Sequence, residues 1–210
     1  YPLNQRANLN VRGGGGVATY FIAGSFNQDN GVLKVDNRNN FNSNINLKSY
    51  SLRSNIDIDL TKSTMLTVRL YGNFDDYRGP LYNGEEMYGM VMHSNPVQFP
   101  ATFPKDEDHA FVKHIIFGNN VTRSNRGSLY LNPYAEMVKG YRDWNRSKMM
   151  AQMEIAQNLG KVIKGLNFRG MFNIERYAYN TVTRGYNPFY YEVSNYDPLT
   201  EQYSYNIINS

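Results

Sequence analysis

A chain of 210 residues, 41% of them hydrophobic, suits one or two folded domains, and a mean hydropathy of −0.59 without any run of about 18 apolar residues excludes a membrane-spanning helix. The net charge of +4 is scattered along the chain, which leaves no basic footprint for nucleic acid, and the absence of cysteine removes disulfides and thiolate metal sites. A β-barrel stays open, because only every second residue of its strands faces lipid.

The chain begins at Tyr1 in strand-like sequence with no leader peptide, as a mature or fragmentary protein would. Residues 3–12 alternate loosely around Leu3, Ala7, Leu9 and Val11, and four glycines, 13–16, follow. Residues 17–28 resume the alternation, with Tyr20, Ile22, Gly24 and Phe26 able to share a face. The glycines therefore read as a hairpin turn that uses positive φ; a phosphate-binding loop would need a helix after them. Residues 29–49, dense in asparagine, read as an exposed loop.

The clearest stretch is 50–77. Leu52, Ile56, Ile58 and Leu60 alternate with Arg53, Asn55, Asp57 and Asp59, and after a turn at 61–64 Leu66, Val68, Leu70 and Phe74 alternate with Thr67, Arg69, Tyr71 and Asp75. This predicts two strands, 50–60 and 65–77, one face oily and the other polar. Runs of about ten residues match what a tilted strand needs to cross a bilayer. Residues 78–143 form the longest interruption, with short helices predicted near 85–92 and 134–139 and an acidic knot at Asp106, Glu107 and Asp108. Strands return at 147–159 and 166–179, and 180–210 reads as a last aromatic loop.

Three hairpins result, with the tight turns at one end of the sheet and the long loops, 29–49, 78–143 and 180–210, at the other. That is the layout of an all-β, antiparallel, up-and-down transmembrane β-barrel segment of about six strands with long extracellular loops. The apolar set would face lipid, and Arg53, Asp57, Asp59, Arg69, Asp75, Arg169 and Glu175 would face a wet lumen.

The segment Asn10-Val11-Arg12-Gly13-Gly14 running into Tyr20 to Gly31 resembles the early barrel strands of SusC-like TonB-dependent transporters of the Bacteroidetes outer membrane. Asn55 to Thr61, Asn95-Pro96 through Phe99-Pro100, and Asn132 to Glu136 with Gly140-Tyr141 resemble later segments of that family, in its order. The resemblance implies an outer-membrane importer of a large nutrient, an oligosaccharide or a peptide. It implies a barrel of about 22 strands with a plug, energised by the TonB complex and covered by a SusD-like surface lipoprotein. No plug domain is legible, so the expectation is a slice of such a barrel.

Import requires binding rather than bond chemistry, and no catalytic residue, cofactor or metal is expected. His93, His109 and His114 lack the spacing of a zinc pair, and consecutive acids in a loop are usually solvated. Asp57 and Asp59 are better read as lumen charges than as a glycosidase pair. Contact with substrate or partner is expected from the loop aromatics Tyr82, Tyr88, Phe99, Tyr134, Tyr141, Trp144, Tyr186, Tyr190 and Tyr191. The alternatives are a soluble all-β carbohydrate-binding module, favoured by the 18 tyrosines, and, more remotely, a glycosidase fragment.

Overall fold

A computed structural model describes residues 3–34, 38–39, 41–121 and 128–209. In chain order the elements are β1 (Gln5–Gly14), β2 (Ala18–Asn30), β3 (Asn46–Thr61), β4 (Thr64–Gly79), α1 (Gly84–Met92), β5 (Phe117–Gly118), α2 (Pro133–Val138), β6 (Gly140–Asn158), β7 (Asn167–Gly185), β8 (Tyr190–Asp197) and β9 (Gln202–Ile207). The protein is all-β. Contacts divide it into two compact units: Tyr1–Val32, Ile45–Arg78 and Asp143–Val182, and Leu33–Asn44, Gly79–Arg142 and Thr183–Ser210.

The first unit is built on a six-stranded sheet of order β1-β2-β3-β4-β6-β7. The pairs from β1 to β4 are antiparallel, and their register carries one apolar face across the strands. Leu9, Gly24, Leu52 and Gly72 form one row; Val11, Ile22, Ser54 and Leu70 form the next; Gly13, Tyr20, Ile56 and Val68 form a third. Directly paired residues share a face, so this agreement fixes the register more firmly than the turns do. Phe172 and Ile174 extend the exposed apolar surface on β7.

Two glycines on this face, Gly13 and Gly72, are covered by neighbouring rings. A Cβ built at Gly13 would lie 2.6 Å from the Tyr20 hydroxyl oxygen, and one at Gly72 would lie 3.0 Å from the Phe74 ring. Gly13 and Gly14 end β1, paired with Tyr20 and Thr19, and Gly15 and Gly16 lie in the connection to β2, but none of the four adopts positive φ. The expected mechanism is therefore corrected: Gly13 is required for the close approach of Tyr20, not for a left-handed turn. Positive φ is used instead at Gly165, φ 85°, in the β6–β7 connection.

The six strands form one open sheet with β1 and β7 at its edges, and no barrel closes among the described residues. Two expectations change. Among the described residues nine strands form rather than six, since β5, β8 and β9 make a second, three-stranded sheet inside segments expected to be loops. And β3 starts at Asn46, β6 at Gly140, and β7 runs on to Gly185, each reaching into an expected loop. The extensions lack an oily face, which is why alternation did not reveal them.

The second unit has its own core. Ile115 and Phe117 pack with Ala135 and Val138, while the intervening Ile116 packs with Phe103, Tyr191 and Tyr205. Asn132 ties the unit together: its Oδ1 accepts from the N–H groups of Tyr134 and Ala135 at the start of α2, and its Nδ2 donates to the carbonyls of Ala101 and Gly118 at 2.9 and 2.7 Å. All four hydrogen-bonding sites of this buried amide are used. At the start of α1, Asn83 and Glu86 form a reciprocal capping box.

Candidate functional site

On the face of the first unit's sheet opposite the apolar rows, the paired positions are polar. Arg12, Phe21, Asn55 and Arg69 make one row. Asn10, Ala23, Arg53 and Tyr71 make the next, followed by Asn8, Ser25, Ser51 and Asn73 and then by Arg6, Asn27, Ser49 and Asp75. Side-chain contacts carry the face on to β6 and β7. Arg146 donates from Nε and Nη2 to one oxygen of Asp75 at 2.9 and 2.7 Å, and Asn73 donates to the same oxygen at 3.1 Å. Arg69 and Arg169 flank Glu154 at 3.9 and 3.2 Å, and Lys148 lies 3.0 Å from Glu175. Thr67 donates to Asp57 at 2.6 Å.

The seven charged residues expected on one face are thus placed on it: Arg53, Asp57, Arg69 and Asp75 by register, Arg169 and Glu175 by their partners, and Asp59 by alternation from Asp57. Asp57 and Asp59 lie on the same strand, not across a cleft from one another as a glycosidase pair would, and Asp57 accepts from Thr67.

Rings accompany the charges. Tyr77 and Trp144 stack at 5.1 Å with planes 12° apart, Tyr179 lies 6.1 Å beyond Trp144, and the Arg146 guanidinium carbon is 5.7 Å from the Trp144 ring. Further down the face, the Arg53 guanidinium carbon is 5.9 Å from the Tyr71 ring. Of these rings Trp144 is expected as a contact residue, in a loop rather than on β6, and Tyr71 is expected on the polar face of its strand but not as a contact residue. Tyr77 and Tyr179 are not singled out by the sequence, although their spacing of two from polar-face neighbours is a usable signal.

The other expected aromatics divide. Tyr88 on α1 and Tyr186 are exposed. Tyr82 is half-buried with the Lys139 ammonium 5.5 Å from its ring, and Tyr141, on β6 rather than in a loop, packs 5.1 Å from Phe41. Tyr134 and Tyr190 are half-buried about Phe117, each 6.3 Å away. The Tyr190 hydroxyl is pushed up to about 12 by burial and by the neighbouring Glu136. Phe99 and Tyr191, 7% and 0% exposed, are buried core residues, which corrects the expectation of exposed loop rings for both. Phe99 also lines an apolar cavity of about 290 Å³ with Met87, Val91, Pro133, Tyr134 and Met137.

The loop histidines and acids fold into the second unit. Asp106 contacts the His109 ring at 2.5 Å and accepts the Tyr205 N–H at 3.2 Å; His114 Nε2 lies 2.8 Å from the Tyr191 hydroxyl. Burial, with His109 and Lys105 nearby, lowers His114 below the ordinary histidine value. Burial and Asp106 raise Tyr191 and Tyr205. His93 closes α1, its ring nitrogen 2.7 Å from the Gly89 carbonyl. Among the described residues no group of three His, Asp or Glu side chains is placed to hold a metal ion.

A scan against protein-family models gives no match for this sequence, and a search of the curated proteins gives none either.

Proposed function

We propose that the six-stranded sheet is part of the wall of an outer-membrane β-barrel, its apolar face on lipid and its polar face on an aqueous lumen, and that the barrel imports a large nutrient, an oligosaccharide or a peptide. The observation that carries this reading is an inversion of burial. Leu9, Leu52, Leu70, Phe74 and Phe172 are exposed on the apolar face, Leu9 at 72%, while Thr67 and Asp75 on the polar face are buried at 4% and 5%. A soluble sheet buries the opposite side, and contiguous exposed apolar surface on this scale marks contact with lipid or a partner.

Two features support lipid over a protein partner. Strands of 16 and 19 residues exceed the usual five or six and suffice to span a bilayer and continue beyond it. The apolar rows also end in a row of Ala7, Phe26, Tyr50 and Phe74, and the following row on that face is Gln5, Gln28, Lys48 and Asp76. Rings at the boundary of an apolar band and a polar rim are the pattern of an interfacial girdle. Open edges at β1 and β7 require further strands, since unsatisfied backbone groups in lipid cost several kcal/mol each.

The resemblance to SusC-like transporters supplies the rest of the reading: a TonB complex as the energy source and a SusD-like surface lipoprotein as partner. The decisive experiment is reconstitution. The natural protein carrying this chain should fold only in detergent or lipid, float with liposomes, and resist extraction by carbonate. A chain that is folded and monomeric in water without detergent overturns the reading in favour of a soluble all-β module.

A further inference from the structure

Resting on the reading of the apolar face as a lipid-facing wall, we propose that this face carries a site for one anionic lipid, its acyl chain in a furrow across β3, β4, β6 and β7 and its phosphate on Arg176. The furrow has a volume of about 330 Å³. Leu52, Leu70, Phe74, Met149 and Ile174 line it, all of them exposed, and Arg176 is the one charged residue of the lining.

A lipid-facing wall does not by itself account for Arg176. Along β7, Phe172 and Ile174 alternate with Asn173 and Glu175, and Glu175 meets Lys148 on the polar face. Arg176 therefore points to the apolar side. There it is exposed and makes no ion pair among the described residues. On the polar face, by contrast, Arg69, Arg146, Lys148 and Arg169 each have a carboxylate partner. A guanidinium on a lipid-facing surface is costly at the bilayer midplane and tolerated near the interfaces. Phe74, a ring of the row that ends the apolar band, lines the same furrow, which puts Arg176 near that edge. The acid of the next row, Asp76, stands directly opposite Lys48.

The chemistry of the furrow selects its occupant. A guanidinium presents a planar fork of donors that fits phosphate oxygens, and lipid headgroups lie at the depth where the apolar band ends. Below Arg176 the furrow offers leucine, isoleucine and methionine side chains, and methionine adapts its shape to a flexible chain. A helix of a partner protein, about 10–12 Å across, is broader than a furrow of this volume accommodates. Free phosphate would leave the apolar part of the furrow unused.

The test uses the complete natural protein that carries this chain, delipidated and held in tetraethylene glycol monooctyl ether, which is uncharged. Native mass spectrometry counts bound molecules as dioleoylphosphatidylglycerol is added, in parallel with dioleoylglycerol, which lacks the phosphate, and with inorganic phosphate, which lacks the chains. The proposal expects one equivalent of the phosphatidylglycerol to bind ahead of the rest, about fivefold tighter than dioleoylglycerol, as one cation beside an anionic headgroup provides. Arg176→Gln should remove that preference and Arg176→Lys should keep most of it. Ala151→Phe, which fills the furrow, should weaken both lipids, by about fourfold for each methylene it displaces. Lys164→Gln, which removes the same charge from the β6–β7 connection, should change neither. Heat-modifiable migration shows that the variants are folded; if Ala151→Phe does not fold, the Arg176 pair decides. Equal binding of the two lipids, a preference that survives Arg176→Gln or is also lost in Lys164→Gln, or inorganic phosphate bound as tightly as the lipid overturns the proposal. Those outcomes leave the barrel reading standing as long as the protein needs detergent to fold, so the two failures are distinguishable.

Discussion

Arg146 on β6 places two donors on a single oxygen of Asp75 on β4, at 2.9 and 2.7 Å. The carboxylate is 5% exposed, on a sheet whose opposite face leaves Leu9 at 72%. The acid of a charged pair is thus more enclosed than a leucine on the other face, although its Arg146 partner is half-exposed; in the barrel wall proposed above, lipid lies against one face and water against the other. The pair also joins β4 to β6, strands separated in sequence by the whole segment that holds α1, β5 and α2.

Removing one member of that pair should cost more than removing both. Asp75→Ala leaves Arg146 without its partner and should destabilise the sheet by about 1–2 kcal/mol, at the low end for a charge-assisted contact because the arginine is half-exposed. The double change Asp75→Ala with Arg146→Met should recover part of that loss. A double-mutant cycle from urea titrations in lipid vesicles measures the coupling; additive losses would show the pair to be incidental.

The apolar face yields a prediction whose sign depends on the solvent. Leu70, in the row with Val11, Ile22 and Ser54, lies within the apolar band. In a bilayer, Leu70→Arg should destabilise the protein by about 2–4 kcal/mol if the site is near the midplane, with the cost falling toward the interfaces. If water were the natural surroundings of this face, the same change at an exposed leucine would be within about 0.5 kcal/mol of neutral. Vesicle unfolding measurements on Leu70→Arg and Leu70→Gln separate the two outcomes.

What the sequence disclosed and what it withheld follow from the same physics. Alternation exposed the strands wherever an apolar set ran at period two, as from Leu52 to Leu60, because successive residues of a strand point to opposite faces of the sheet, here one apolar and one polar. It failed from Gly140 to Arg146, where Trp144 stacks on Tyr77 and Asp143 pairs with Arg78: those partners are on another strand and leave no local periodicity. The small sheet of β5, β8 and β9 was hidden for a related reason, since β5 is two residues long and pairs in parallel with β8 across more than 70 residues of chain. The charged residues of the polar face were legible as one side of a ribbon. The neutral row of Asn8, Ser25, Ser51 and Asn73 became visible only once the register placed four strands side by side.

The contact between Gly13 and Tyr20 makes a packing prediction. The ring lies where a side chain on Gly13 would be, so Gly13→Val must displace it from the row. The expected cost is about 1–3 kcal/mol, as for overpacking at a close-packed site. Tyr20→Ala should also destabilise, by uncovering the glycine backbone, whereas Gly13→Val combined with Tyr20→Ala should cost less than the sum. The same unfolding assay reads all three, and strict additivity would show that the ring does not cover the glycine.

His114 gives the second unit a pH dependence of defined sign. Its folded value is lowered from 6.5 by burial, helped by His109 and Lys105, and its Nε2 is 2.8 Å from the Tyr191 hydroxyl. Above the unfolded value the histidine is neutral in both states and its contribution is fully present. As pH falls below 6.5 the unfolded chain takes up the proton first, so stability is lost down through the folded value. Amide exchange in β8 should accelerate, relative to intrinsic rates, between about pH 7.5 and 5. His114→Gln should flatten that dependence, and a variant as pH-sensitive as the parent would assign the effect elsewhere.

Asn132 is the position at which one substitution should loosen the second unit. Its amide caps α2 through the Tyr134 and Ala135 N–H groups and also satisfies the carbonyls of Ala101 and Gly118. Asn132→Ala removes the cap, worth about 1 kcal/mol, and leaves two carbonyls short of a donor at about 1–3 kcal/mol where they are buried. The loss should therefore be about 2–4 kcal/mol, larger than a cap alone explains. Asn132→Asp separates the two contributions, because the carboxylate keeps the cap, and gains from the helix dipole, but cannot donate. Amide exchange across Phe117–Gly118 and α2 should rise strongly in Asn132→Ala and by an intermediate amount in Asn132→Asp. Equal protection in the aspartate variant and the parent would mean that the two carbonyls do not depend on this donor.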